Sequence, residues 1–326
     1  MLSRVADALF WMARYYERAE NTSRLIDVNI NMMLDMGHAL SDAGSSAPYW
    51  NPIIRITSPF DEFRARYPKT TQESALEWLT FDENNSNSIF GCISRTRENA
   101  RAIRGQISSE MWQQINSTYL RVKDSTNADI WREGPHAYFL RVREASQLFQ
   151  GMMKSTQPRD EAYHWMQLGK YLERADATTR LVDVKYHILL PSVDEVGGPI
   201  DNVQWIAVLK SCSAYEAYQR RYVARITPSR VAEFLVLDRT FPRAVRFSFD
   251  QVRWALRSIA IEHGAIDERP PEIVASHVRH MLSETTMRGI VQFGLHEYMA
   301  QLQHYCAEVS NKITQTYFQG AMQHAA

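Results

Sequence analysis

Cysteine is scarce. Three are present among 326 residues, Cys92, Cys212 and Cys306, far apart and with no CxxC pair, so neither a disulfide framework nor a zinc ribbon is expected, and free thiols suit a reducing cytosol. Glycine (13) and proline (12) are low, which argues against a loop-rich or all-β protein and for helices. Neither sign of charge is in excess, with 37 Lys+Arg against 37 Asp+Glu. The basic surplus of a nucleic-acid or membrane-surface binder is therefore missing. No apolar run approaches the ~18 residues of a transmembrane helix. The opening Met1-Leu2-Ser3-Arg4-Val5 leads into no apolar stretch with a cleavage site, so a cytoplasmic location is expected, with no nucleic acid and no membrane as partner. There is no G-x-x-x-x-G-K-[ST] loop, no G-x-G-x-x-G after a strand and no G-x-S-x-G elbow. The chain by itself thus lacks a standard nucleotide cradle or serine nucleophile.

What is present is ordinary globular material, 45% hydrophobic and 23% charged, enough for a full core. It is also repeated. Residues 15–28 read YYERAENTSRLIDV and residues 171–184 read YLERADATTRLVDV, with nine of fourteen positions identical at an offset of 156. Trp50–Tyr67 pairs with Trp205–Tyr222 at 155, and Ala75–Asp82 with Val231–Asp238 at 156. Ile89, Ala100 and Ile103 fall opposite Val245, Leu256 and Ile259. Three collinear blocks at nearly one offset predict a tandem duplication rather than a short solenoid repeat, with halves at 1–157 and 158–326.

Helical periodicity dominates and alternating strand patterns are essentially missing. Helices are expected from Ser3 to about Asp35, with Gly37 as a stop, then after Ser58-Pro59, over 71–81, 87–106, 108–122 and 136–154. The second half should hold a long helix from Pro158 to about Leu190 and others over 201–211, 213–224, 228–237, 242–262, 272–285 and 288–320. Residues 40–50, 123–129, 191–199 and 268–271 read as loops, linkers or breaks. The expected fold is all-α: two tandemly duplicated antiparallel helical bundles packed with pseudo-twofold symmetry.

Placed on a helix, Met12, Tyr15, Ala19, Thr22 and Ile26 form an apolar stripe, and Ala19 and Ala175 permit close helix approach. Arg14, Glu17, Asn21 and Arg24 form a second stripe on the other side, repeated as Lys170, Glu173, Ala177 and Arg180. Arg18/Arg174 and Glu20/Asp176 recur too. Charges at such spacing are ordinarily a solvated face, each pair contributing about 0.2–0.5 kcal/mol. Their retention while neighbouring blocks drifted leaves two readings: a buried, paired network between the halves, or a ligand site in which Arg holds carboxylate or phosphate and Glu holds a cation or an amine. Arg97 and Arg101, one turn apart in Arg97-Glu98-Asn99-Ala100-Arg101, could clamp an anion. Their counterparts Arg253 and Arg257 persist while Glu98 and Asn99 have none, which favours one functional half and one structural half.

A di-metal bundle site would need four carboxylates and usually two Glu-x-x-His pairs. Glu17/Glu20, Glu173/Asp176, Glu161–His164 and Glu133–His136 are weak matches, the last interrupted by Gly134-Pro135. His277 and His280 have helical spacing but no third ligand. No metal is expected. The cysteines read as buried small apolar residues, and Met32, Met33 and Met36 as adaptable filler.

ALFWMARYYERAENTSRLIDV, TFDENNSNSIFGCISRTRENARAIRGQISSEMWQQIN (80–116) and FLVLDRTFPRAVRFSF (234–249) resemble segments of the bacterial alpha-E domain family, and the similarity spans essentially the whole chain. Glu17, Arg18, Glu20 and Arg24 match its first motif, Arg97, Glu98, Asn99 and Arg101 its second, and Glu173, Arg174 and Arg180 the internal copy. The resemblance implies an all-helical protein found beside, or fused to, circularly permuted ATP-grasp proteins, and with transglutaminase-like proteins. It further implies an accessory or co-catalytic part in forming or modifying amide and peptide bonds, with ATP and Mg supplied through the partner. In that picture the Arg residues, with Lys170 and Asp176, hold substrate or partner groups. Glu17 or Glu173 orients or deprotonates an attacking amine, which needs a raised pKa. The alternative is a non-enzymatic helical scaffold that docks an ATP-grasp partner through the Arg/Glu face.

Overall fold

The computed structural model describes residues 1–35, 46–188, 198–222 and 226–319. Among them the chain is all-helical, with sixteen α-helices and no strand. In chain order these are α1 (Ser3–Asp35), α2 (Ala47–Thr57), α3 (Phe60–Arg66), α4 (Gln72–Thr80), α5 (Ile89–Ala102), α6 (Ser109–Lys123), α7 (Asn127–Glu133) and α8 (Pro135–Thr156). Then come α9 (Glu161–Ile188), α10 (Pro199–Ser211), α11 (Tyr215–Arg221), α12 (Pro228–Leu237), α13 (Val245–Glu262), α14 (Pro270–Glu284), α15 (Met287–Phe293) and α16 (Leu295–Ile313), with a final π turn over Thr314–Gln319.

The two longest helices, α1 and α9, pack on each other at the centre. Around them α5 and α8 pack on α1, and α13 and α16 on α9. Neither central helix contains a proline, and α1 has no glycine, so their ladders run unbroken. α9 has one glycine, Gly169, and a Cβ there would lie 2.3 Å from the Phe10 carbonyl oxygen. The missing side chain is thus what lets the two backbones meet. One continuous apolar core joins residues from both parts of the chain, with Trp50, Trp78 and Trp165 fully buried in it. No described helix is long and apolar enough to cross a membrane.

Several boundaries differ from the sequence expectation. Residues 47–50 are helical rather than loop, because Pro48 sits in the first turn of α2, where its missing N–H costs nothing. Ser58 is not a cap. Its hydroxyl accepts from Trp78 Nε1 at 2.7 Å, and α3 starts after Pro59. The expected linker at 123–129 already contains the start of α7, capped reciprocally by Thr126 and Asp129. Pro270 opens α14 rather than breaking the chain, and α9 begins at Glu161 rather than Pro158. The helix expected over 288–320 is two helices. Gly294 at φ 106° redirects the backbone between α15 and α16, a conformation that L side chains rarely adopt. Met36, Gly37, Leu190, the 40–45 part of the first expected loop and most of the 191–199 loop lie outside the described residues.

Candidate functional site

The charged stripe of α1 does not face solvent. Twenty of the 33 residues of α1 are buried, among them Arg14, Glu17, Glu20 and Arg24. The expectation of a solvated face fails because α5, α8 and α9 pack against this helix. A buried charge needs a partner, and the partners come from the far part of the chain. Arg18 Nε donates to Glu173 Oε1 at 2.6 Å, and Arg174 Nε donates to Glu17 Oε1 at 2.7 Å. The two Glu-Arg dipeptides exchange ion pairs across the α1–α9 contact.

Around this exchange the surroundings differ. Glu173 also receives Arg14 Nε at 2.9 Å and Arg18 Nη2 at 3.0 Å, and Arg14 Nη1 reaches Ser310 Oγ on α16. Glu17 receives Gln150 Nε2 at 3.0 Å and Arg243 Nη1 at 2.9 Å. Arg243 continues to Asn21 Oδ1 at 2.7 Å and, through Nη2, to Glu20 Oε1 at 2.5 Å, which Arg24 Nη2 also reaches. On the other side Asp176 Oδ2 accepts from Arg180 Nε at 2.8 Å, and Asn87 Oδ1 accepts from Arg18 Nη1 at 2.7 Å.

These contacts set the titration. Burial opposes ionisation of Glu17 and Glu173, but the guanidiniums of Arg174 and Arg243, and of Arg18 and Arg14, outweigh it and hold each carboxyl at about 2. Glu20 is lowered as well: burial and Glu17 push it up, and Arg243 and Arg24 override them. The raised pKa that an amine-deprotonating Glu17 or Glu173 requires is therefore corrected to the opposite direction. Both are anions at neutral pH: the Glu173 oxygens take guanidinium donors, and those of Glu17 take guanidiniums and the Gln150 amide. Lys170 moves the other way. Burial and the Arg174 charge lower its ammonium to about 7, and its Nζ lies 4.7 Å from the Tyr171 ring centroid.

On one flank of the exchange a cleft of about 370 Å³ opens between α1, α2 and α9, walled by Arg18, Asn21, Asn87, Glu173, Asp176 and Arg180. Its outer lip is Arg55, whose guanidinium stacks 3.8 Å from the Phe60 ring centroid. The cleft brings together five of the sequence-singled side chains: Arg18, Asn21, Glu173, Asp176 and Arg180. Arg14, Glu17, Glu20, Arg24, Lys170 and Arg174 lie in the buried network behind it. The 97–101 segment stands apart. Arg97 donates to Asn116 Oδ1 and pairs with Glu98, while Arg101 is exposed and also pairs with Glu98. The expected anion clamp is thus turned onto its own carboxylate, Asn99 stands on the same helix, and no described contact ties Arg97, Glu98 or Arg101 to the network.

Four network residues escaped the sequence reading: Gln150, Asn87, Ser310 and Arg243. Asp27 is buried and accepts from Arg143 Nη1 at 2.8 Å, with His136 Nδ1 at 3.0 Å. Asp183 has a similar neighbour in His296. Arg243 carried a signal, because the 156 offset sets it opposite Asn87, a charge gained or lost where the adjoining blocks align.

Among the described residues no group of three or more His, Cys, Asp or Glu is placed to hold a metal ion. Glu161 instead accepts from Trp165 Nε1 at 3.0 Å and lies 2.8 Å from His263 Nε2. The three cysteines are buried and unpaired with one another. Burial pushes the Cys92 thiol up to about 12 and Cys212 to about 11, away from reactive thiolate character.

Comparison with known proteins agrees with this geometry. A family model described as Alpha-E, a predicted alpha-helical domain with a conserved ER motif, matches residues 1–318. An uncharacterised protein of Mycobacterium bovis and two of Mycobacterium tuberculosis strains are each 24% identical over 336 residues, covering 96% of this chain. The chain spans about a third (36%) of the length of these curated relatives. No solved structure matches. The family's description names a conserved ER motif, this chain carries Glu-Arg dipeptides at 17–18, 173–174 and 268–269, and the chain belongs to the Alpha-E family.

Proposed function

We propose that this chain is an accessory component of an ATP-grasp-linked system that forms or modifies amide bonds, holding a substrate or partner group in the cleft beside the exchanged ER pairs. The cleft carries the reading: charges of both signs line it, Arg18 and Arg180 beside Glu173 and Asp176. Side-chain exposure is 23% for Arg18 and 43% for Arg180, against 1% for Glu17. Glu17 and Glu173 then act as positioning residues that fix Arg174 and Arg18, and not as bases. That the chain covers only about a third of its relatives suits a unit that works with other machinery. The ATP-grasp partner, a transglutaminase-like partner, ATP with Mg, and a cytoplasmic setting are parts of this proposal. A scaffold docking through the Arg/Glu stripe has less support, since that stripe is interior.

We further read the architecture as two tandemly duplicated antiparallel bundles, 1–157 and 158–326, related by a pseudo-twofold axis. Eight helices precede residue 157 and eight follow it in matching order. Contacts recur at nearly the sequence offset: Arg18–Glu173 with Arg174–Glu17, and Arg66–Asp82 with Arg221–Asp238.

The test is reconstitution with a circularly permuted ATP-grasp protein from the same organism. ADP release is measured with amino-acid and peptide acceptors, with and without this chain. Stimulation that is lost in Arg18→Ala is expected. Equal rates with and without the chain, together with no complex in sedimentation velocity, would overturn the proposal.

A further inference from the structure

The cleft beside the ER exchange is rich in hydrogen-bond donors and poor in acceptors. Three guanidiniums line it, those of Arg18, Arg55 and Arg180, against the two carboxylates of Glu173 and Asp176. Both Glu173 oxygens are already taken, by Arg14 Nε and by Arg18 Nε and Nη2. Asp176 Oδ2 accepts from Arg180 Nε, which leaves Asp176 Oδ1 as the carboxylate oxygen with no donor among the described residues. Far more is uncommitted on the donor side. Arg180 uses only its Nε, so both of its terminal nitrogens are open, on a side chain that is 43% exposed. Arg55 makes no hydrogen bond or ion pair among the described residues and rests against the Phe60 ring. Asn21 lines the cleft too, and its Nδ2 is buried without an acceptor among the described residues. The layer behind does not offset this surplus, because Glu17 and Glu20 already meet the guanidiniums of Arg24, Arg174 and Arg243.

We infer that this cleft binds a carboxylate group of a ligand, held by the open N–H donors of Arg180 and Arg55. A cleft walled by an excess of one sign of charge concentrates ions of the other. A guanidinium offers parallel N–H donors that match the two oxygens of a carboxylate. Asp176 selects the kind of anion. It is paired to the very guanidinium that would receive the ligand, so a phosphate dianion there would meet a neighbouring carboxylate with twice the repulsion of a single negative charge. Leu25, Ile56 and Pro59 also line the cleft, an apolar wall for the carbon skeleton that carries the carboxylate. The volume of about 370 Å³ leaves room for a group the size of an acylated amino acid.

The inference deepens the amide-forming reading, on which it rests, by naming a carboxylate as the group held in the cleft. It is tested without an ATP-grasp protein, so the two can fail separately: stimulation of ADP release without carboxylate binding refutes this inference alone, and carboxylate binding without stimulation refutes the other alone. The experiment is isothermal titration of the full chain with N-acetyl-L-leucine, with N-acetyl-L-leucinamide, which differs in lacking the carboxylate, and with inorganic phosphate. Saturable binding of one acetyl-leucine per chain is expected, with about a tenfold or greater preference over the amide. Arg180→Gln and Arg55→Gln should each weaken it about tenfold or more. Arg55 lies at the surface, so its variant keeps the thermal midpoint and preserves the test should Arg180→Gln fold poorly. Arg101→Gln, on a helix surface away from the cleft, should leave binding unchanged. No saturable binding of acetyl-leucine, equal binding of its amide, or tighter binding of phosphate would overturn the inference. So would acetyl-leucine binding that is undiminished in folded Arg55→Gln or Arg180→Gln.

Discussion

The closed flank around Glu17 and the open flank around Glu173 use the same alphabet to different ends. Around Glu17 every charge is shut in by Arg243, and the arrangement is part of the core. Around Glu173 the inner half of the arrangement is equally shut in by Arg14 and Arg18, but Asp176 and Arg180 reach a cleft. A charged motif can therefore be held for packing on one side and left available on the other. The two flanks differ outside the motif, at Arg243 against Asn87, and within it, at Arg14 against Lys170, Glu20 against Asp176 and Asn21 against Ala177.

Substitutions sharpen this contrast in a definite order. The largest effect is expected for Glu17→Ala, which strands Arg174 and Arg243 in the interior. Removing one member of a buried pair costs about 3–5 kcal/mol, readable by urea denaturation. The same change at Glu173 should cost less, because Arg18 is 23% exposed and can rehydrate. Next comes Arg243→Asn, which makes the closed flank resemble the open one. It should cost roughly 3 kcal/mol, again readable by urea denaturation; an unchanged midpoint would break the comparison between the flanks. Third is acid. Glu17 and Glu173 are held at about 2 in the folded chain against an ordinary 4.5, so the unfolded chain binds more protons between those values. Their stabilisation is complete above about pH 5 and is lost as pH falls from about 4.5 toward 2. Glu17→Gln should flatten that part of a stability–pH curve. The smallest effect belongs to Arg101→Ala. Its partner Glu98 is half exposed, and the change should stay within about 0.5 kcal/mol.

Much of the helical plan was legible because it is local. The uninterrupted 3.6-residue period of α1, the Asn/Ser turn at 82–88 and the Pro228 start of α12 each follow from neighbours in sequence. The breaks that were missed depend on single backbone angles. Gly134 precedes a proline and announces itself, whereas Gly294 stands before Leu295 with nothing adjacent to mark it. The candidate site was legible as residue types and illegible as an environment. Spacing sets Arg14, Glu17 and Arg24 along one stripe of α1. Whether that face met water depended on α5, α8 and α9, which periodicity within α1 cannot reveal. The exchange between Arg18 and Glu173 joins residues 155 apart, and only the internal repeat hinted that those positions belonged together. Arg243 was within reach of the same repeat, had the offset been followed through the turn at 82–88 as well as through the helices on either side.

The exchanged pairs also set an order of events during translation. When α1 leaves the ribosome its carboxylates have no guanidinium from the second half to meet. Arg174 lies 157 residues beyond Glu17, and Arg243 lies 226 beyond it. At ordinary elongation rates of about 5–20 residues per second, the first helix made must wait many seconds, hydrated and unburied, before the helices that enclose it exist. A nascent chain arrested before residue 243 would carry the Glu-Arg signature intact and yet have no finished centre.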